Sequence, residues 1–300
     1  MPWNRLLGPL QRLPAAPLPA WHAQLQEQAQ GLSTAQLAIL GGRLAATPGL
    51  AFLAGYQAAL RALWPEAPAS LGAFCVTERR SVRPADLNTR LENGRLDGCK
   101  DFVTGGSEAD WFLVAARSEP EGEAVRISLC SVASDTSGVT VEALPPLPIA
   151  TDIPHARLLL DGAVAQPLPG DGWDDYAKPF RTLEDVHVLL ALSAWLYGVG
   201  LECQWPQALR LKLAGVLVAG SEVARLDPRE AATHLLLGGV FAQFESLQAE
   251  LNVALESAGE WAALWRRDSG LLKIAGSARQ KRLIKADNLL LSPSSEKLRL

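Results

Sequence analysis

Cys75-Val-Thr-Glu78, Asp86-Leu-Asn-Thr89 and Leu96-Asp-Gly-Cys-Lys-Asp-Phe-Val-Thr-Gly-Gly-Ser-Glu-Ala-Asp-Trp-Phe-Leu-Val-Ala-Ala116 are the stretches whose reading decides the fold. They sit inside a region, from Gly72 to about Gly170, where the hydrophobic period shortens to that of strands. Phe74–Thr77, Phe102–Thr104, Trp111–Ala115, Val125–Cys130 and Val139–Val141 are short runs rich in β-branched and aromatic residues, with Gly, Asp or Ser between them. Glu92-Asn93-Gly94-Arg95 is a hairpin signal, because Asn-Gly accepts the positive φ values of a two-residue turn. Together they predict a β-barrel or sandwich of about a hundred residues.

On either side the pattern is helical. Ser33-Thr34 caps a helix over Ala35–Thr47, and Pro48 opens another over Gly49–Leu63 whose apolar residues form one stripe. After Trp173 four helices are predicted: Phe180–Gly200, Trp205–Ala224, Pro228–Glu256 with a break near Gly238-Gly239, and Glu260–Leu291. Four apolar-striped helices in succession imply an antiparallel bundle. The fold class is therefore α+β and multi-domain: an N-terminal helical domain over 1–70, a middle β-barrel or sandwich over 71–172, and a C-terminal antiparallel helical bundle over 173–300.

The chain has 300 residues and a formal charge of −4, so it lacks the basic field that drives phosphate-backbone binding; nucleic acid is not an expected partner. Its four cysteines are scattered, without a CxxC pair, and read as reduced thiols in a core. His22, His155, His187 and His234 are too dispersed for a metal site. Val186–Leu201 is the most apolar stretch, shorter than the ~20 residues a membrane span needs. Prolines interrupt the N-terminal segment where a signal peptide needs an unbroken apolar run. A cytoplasmic location, away from membranes, is expected.

The quoted stretches resemble the middle β-domain of the acyl-CoA dehydrogenase family, in which a "TE" strand end and a "G-x-K-x-W-(I/V)-T" strand hold a flavin ring. Here these are Thr77-Glu78 and Gly98-Cys-Lys100-Asp-Phe102-Val-Thr104. The order of helices, β-domain and helical bundle is also that family's architecture. The resemblance implies FAD as cofactor, with Thr77 at the pyrimidine edge of the flavin, Thr104 near its N5, and Glu78 beside them. Phe102 stands where the family has Trp and keeps an aromatic wall without the indole donor. The family's compact "G-S-D" turn, which meets the FAD pyrophosphate, is replaced by Arg79–Asp86. Arg83, with Arg79 and Arg80, is a candidate for charge-assisted bonds to that phosphate.

The same resemblance implies α,β-dehydrogenation of an acyl-CoA or related acyl thioester, with an electron-transfer acceptor downstream and homo-oligomeric assembly. The reaction needs a carboxylate to take the α-proton, and the family's usual "Y-E-G" loop is absent. A minority of relatives carry the base near the start of the first C-terminal helix, which points to Glu184 or Asp185, with His187 as a further acid-base candidate. Thr182 followed by two acids also reads as an ordinary helix N-terminus. Arg279 and Arg282, on one face of the last helix, suit either a phosphate or a salt-bridged surface. Thr77 and Thr104 are expected at one mouth of the β-domain, facing the helix that begins near Phe180. The alternative function is a degenerate member that keeps the fold without catalysis and serves as a binding or assembly subunit.

Overall fold

A computed structural model describes residues 2–14 and 16–291. Helices α1 (Pro2–Leu7) and α2 (Leu18–Gln28) precede α3 (Thr34–Leu44) and α4 (Pro48–Leu63). A reciprocal capping box between Ser33 and Gln36 opens α3. The Thr47 hydroxyl accepts the Leu50 N–H at the start of α4, where Pro48 occupies the first turn. The helix expected to reach Thr47 stops at Leu44, because Ala45 turns extended and Thr47, preceding a proline, must be extended too.

Helix α5 (Lys178–Glu202) is the axle of the molecule, buried along nearly all of its length. Helices α3 and α4 lie directly on it. A Cβ on Gly42 would stand 2.0 Å from the Ala191 carbonyl oxygen, and one on Gly55 would stand 2.7 Å from that of His187. Glycine is required at both points so that the helix backbones can touch. His187 itself is fully buried: Nδ1 donates to the Leu183 carbonyl at 2.7 Å and Nε2 meets the Thr34 hydroxyl at 3.0 Å. Burial pushes its pKa down to about 4. With both nitrogens occupied, His187 is a packing residue rather than an acid-base group.

Between α4 and α5 the chain forms one curled, mixed sheet of β1 (Gly72–Cys75), β2 (Arg90–Glu92), β3 (Arg95–Thr104), β4 (Trp111–Arg117), β5 (Ile127–Ala133), β6 (Val139–Ala143), β7 (His155–Val164) and β8 (Gln166–Pro167). The path is β6-β7-β3-β2-β4-β5-β8, with β1 parallel to β4. Asn93 and Gly94 have φ of 49° and 73° and join β2 to β3 in the predicted hairpin. A separate core of Leu96, Phe112, Val114, Cys130 and Leu158 fills the curl of the sheet.

The C-terminal part comprises α6 (Gln207–Val223), α7 (Ala231–Ser246), α8 (Gln248–Glu256), α9 (Glu260–Asp268) and α10 (Gly276–Leu291). Two expectations are corrected. The break in the third helix falls at Leu247, the single residue between α7 and α8, and not at Gly238-Gly239. Gly238 instead packs tightly under Leu283 of α10. The last expected helix is two, separated by a 3₁₀ turn over Ser269–Lys273. Among the described residues, no helix is long and apolar enough to cross a membrane.

Candidate active site

Two motif strands deliver the site. The Asp101 N–H donates to the Thr77 carbonyl at 2.8 Å, which locks the segment after β1 to the end of β3. The β3–β7 register slips between Lys100 and Val103, and at this bulge Phe102 has a φ of 55°. Positive φ is uncommon for a bulky residue and is held here by the paired strands on both sides. The bulge turns Phe102 outward, 47% exposed, while Lys100 points inward with none of its surface exposed.

Thr77, Phe102 and Thr104 line a cavity of about 430 Å³ whose opposite wall is α5, with Phe180, Glu184 and Asp185. Among the described residues, neither threonine hydroxyl has a hydrogen-bond partner. An aromatic floor connects the three parts of the fold: the Phe74 and Phe180 ring centroids are 4.4 Å apart, those of Tyr56 and Phe180 5.7 Å, and the Phe74 N–H donates to the Tyr56 oxygen at 2.7 Å. A larger cleft of about 840 Å³ lies beyond Arg279, walled by Phe244, Trp265 and Lys273. It joins none of the motif threonines to a carboxylate, whereas the smaller one does.

Glu78 stands apart from this cavity. Its carboxylate takes the Lys100 ammonium at 2.5 Å, the Asn88 N–H at 2.6 Å and the Thr89 N–H at 3.2 Å. Burial would raise the Glu78 pKa, but Lys100 and these donors bring it below its ordinary value. The pair is therefore ionised, and Glu78 braces Thr77 and Phe102 from behind without reaching the cavity. Arg79 and Arg80, with φ of 46° and 65°, form a two-residue turn closed by reciprocal Glu78 and Ser81 backbone bonds. Arg83 is exposed beyond that turn, just ahead of a short 3₁₀ turn over Pro84–Asp86, and lines none of the cavities described.

The two candidate bases on α5 are adjacent in sequence yet differ in environment. Asp185 is buried between Arg279 at 3.0 Å and Arg282 at 2.5 Å, one guanidinium to each carboxylate oxygen. Arg279 also lies over the Phe241 ring, 3.5 Å from its centroid. The shared face of Arg279 and Arg282, read from sequence as a surface or a phosphate contact, is thus turned inward onto Asp185. Glu184 makes no hydrogen bond or ion pair among the described residues. Burial, aided by the charge of Asp185, pushes its pKa up to about 7.

That shift has a stability sign. A carboxyl whose pKa rises from 4.5 to about 7 on folding favours the folded state only while neutral, so stability falls as pH climbs from 4.5 to about 7. Glu184→Gln is expected to remove the decline and to stabilise the fold at pH 8 by on the order of 2 kcal/mol, partial exposure considered. Urea titrations of both proteins at pH 5 and pH 8 measure it; parallel losses in the two would count against the raised carboxyl.

No family model matches the chain. Among curated proteins it is 33% identical over 95 residues to a 3-sulfinopropanoyl-CoA desulfinase of Paraburkholderia xenovorans, covering 30% of this chain and 24% of that one. It is 32% identical over 122 residues to a probable medium-chain specific acyl-CoA dehydrogenase of Caenorhabditis briggsae, covering 37% and 29%. Both matches span less than a third of the relative's own length. In three dimensions it superposes on the glutaryl-CoA dehydrogenase of Mycobacterium smegmatis with a TM-score of 0.62 and 17% identity, over 93% of this chain and 91% of that one. The chain has the acyl-CoA dehydrogenase fold. Its likeness in fold covers almost the whole molecule, whereas its likeness in sequence is local. A further structural neighbour, PigA, solved with FAD and proline, superposes with a TM-score of 0.60 at 16% identity, over 90% of this chain and 88% of that one.

Sequence reasoning missed three parts of this site. Tyr56 and Phe52 come from α4, where Tyr56 reads only as a member of the apolar stripe and Phe52 lies outside it. His155 enters the cavity from the start of β7, with Nδ1 on the Ile153 carbonyl at 3.1 Å. Leu272, Ile274 and Ala275, ahead of α10, form a wall that carries no carboxylate. None of these has a local signal, because each joins the site only through packing between distant elements.

Proposed function

We propose that the chain binds FAD between the β-sheet and α5 and oxidises an acyl thioester across its α and β carbons. One observation carries the reading: an unpartnered carboxylate, Glu184, and two unpartnered hydroxyls, Thr77 and Thr104, border one aromatic-floored cavity. The residues fit the cofactor. Thr77 and Thr104 would hold the polar edge of a planar ring from rigid strand ends, and the exposed Phe102 would cover an apolar face. The flavin neighbours of the same fold support this assignment.

When bound, FAD supplies a hydride acceptor for the β-carbon. The chain's own residues do the rest. Glu184 takes the α-proton onto its carboxylate and keeps it in the cavity. A carboxyl with a pKa near 7 is a serviceable base at neutral pH, half ionised and basic enough to accept the proton. Asp185 cannot serve, because both of its oxygens are held by arginines. Phe74, Phe180, Tyr56 and Phe52 give an apolar lining that suits an acyl chain and keeps water from the site. Electrons leave to a separate acceptor, and a homo-oligomer in the cytoplasm is the expected setting.

The binding half of the proposal is tested by adding FAD to purified protein and following the quenching of flavin fluorescence. Thr77→Val with Thr104→Val is expected to weaken retention by about tenfold or more, as two hydrogen bonds to the ring are lost. Wild-type protein that stays colourless after reconstitution would instead favour the degenerate binding subunit.

A further inference from the structure

A third cavity opens on the other side of Arg181, with a volume of about 270 Å³. Its wall comes from the starts of α5 and α7 and from the middle of α10. Lys178, Arg181, Arg229, Lys281, Arg282 and Lys285 all line it, and among the described residues no Asp or Glu does. Three of these six cations have an acid elsewhere: Lys178 meets Asp174 at 2.6 Å, Arg229 meets Asp227 at 3.1 Å, and Arg282 meets Asp185. The other three, Arg181, Lys281 and Lys285, have no ion pair among the described residues.

The cations also work against one another. Burial and the charge of Arg282 lower the pKa of Arg181. Burial, Arg282 and Lys285 push His234, a further lining residue, down to about 4. The Arg282 Nε is buried without a hydrogen-bond partner, and the Arg181 guanidinium is braced 4.9 Å over the Trp173 ring. Like charges held together around a concave space cost stability unless an anion offsets them. Guanidiniums fixed by stacking and by a salt bridge are already arranged for phosphate oxygens.

We propose that this cavity is a pyrophosphate site, taking the diphosphate of a ligand whose other end enters the candidate active site past Arg181. Arg181 belongs to both cavities, so a single extended molecule can occupy the two. Three positive charges without an ion-pair partner among the described residues match a diphosphate better than the one negative charge of a phosphodiester. The location of the far end rests on the proposed function. The diphosphate comes either from the flavin dinucleotide or from a nucleotide thioester. In both cases its contacts are these cations rather than the Arg79–Arg83 turn.

Calorimetric titration of flavin-free full-length protein with ADP, beside inorganic phosphate, tests the site without any activity. ADP is expected to bind more tightly than phosphate, to weaken as salt rises, and to lose about tenfold or more in the Lys281→Gln/Lys285→Gln double variant. Lys212→Gln, which changes a surface lysine paired with Glu250, serves as the charge control and should bind as wild type. Displacement of ADP by FAD assigns the diphosphate to the cofactor, and displacement by CoA assigns it to the thioester. ADP that binds no better than phosphate, that binds the double variant as well as wild type, or that neither molecule displaces overturns the proposal. The fluorescence test with the threonine variants is independent, so failure here leaves the flavin assignment standing.

Discussion

Glu184→Gln is expected to lower acyl-thioester turnover by about 10²–10⁴-fold with FAD still bound, the usual effect of losing a positioned acid-base group. The substitution keeps shape and hydrogen-bonding capacity while removing, among the described residues, the one carboxylate of the cavity without an arginine ion pair. In the wild type the rate should climb with pH through about 7, because only the ionised carboxyl accepts a proton. That ascending limb should be missing from whatever rate the variant retains. Asp185→Asn has a different signature. It releases Arg279 and Arg282 into a buried space, so it should lower the melting temperature and loosen α10 while the limb near pH 7 persists. Full activity in Glu184→Gln, or loss of the limb in Asp185→Asn alone, would reassign the base.

Breaking the Lys100–Glu78 pair is the second large effect. Lys100→Met leaves the Glu78 carboxylate 4% exposed, with only the Asn88 and Thr89 N–H groups to neutralise it. Removal of one partner from a buried ion pair costs about 3–5 kcal/mol, since the remaining charge has been desolvated without compensation. Thr77 precedes Glu78, and Phe102 lies two residues beyond Lys100, so FAD retention should fall together with stability. Denaturant titration gives the first number and flavin fluorescence the second. A loss below about 1 kcal/mol would mean that the pair is solvated and does not brace the site.

Much of the frame was legible because it is carried by local chemistry. Asn93-Gly94 declares its own turn, Pro48 and Ser33 declare helix starts, and the G-x-K-x-F-V-T strand carries its alternation on its face. The Arg79-Arg80 turn was not legible. Arginine has no preference for positive φ, and the turn is closed by the Glu78 and Ser81 backbone bonds and by the Asp101 carboxylate accepting the Arg79 N–H at 2.8 Å. Glu78 likewise reads as a cofactor neighbour in sequence, whereas burial commits it to Lys100. The choice between Glu184 and Asp185 lay wholly outside local pattern. It is made by α10, nearly a hundred residues later in the chain, which delivers Arg279 and Arg282 to one carboxylate and leaves the other bare. Charge periodicity placed those arginines on one face but held no information about what that face would meet.

Anaerobic mixing of FAD-loaded protein with saturated acyl thioesters, followed by flavin absorbance, asks whether Glu184 starts the oxidation. The oxidised flavin bands should bleach in a single turnover, fast in wild type and slowed by at least about a hundredfold in Glu184→Gln. A flavin that stays fully oxidised across short, medium, long and branched acyl thioesters would contradict it.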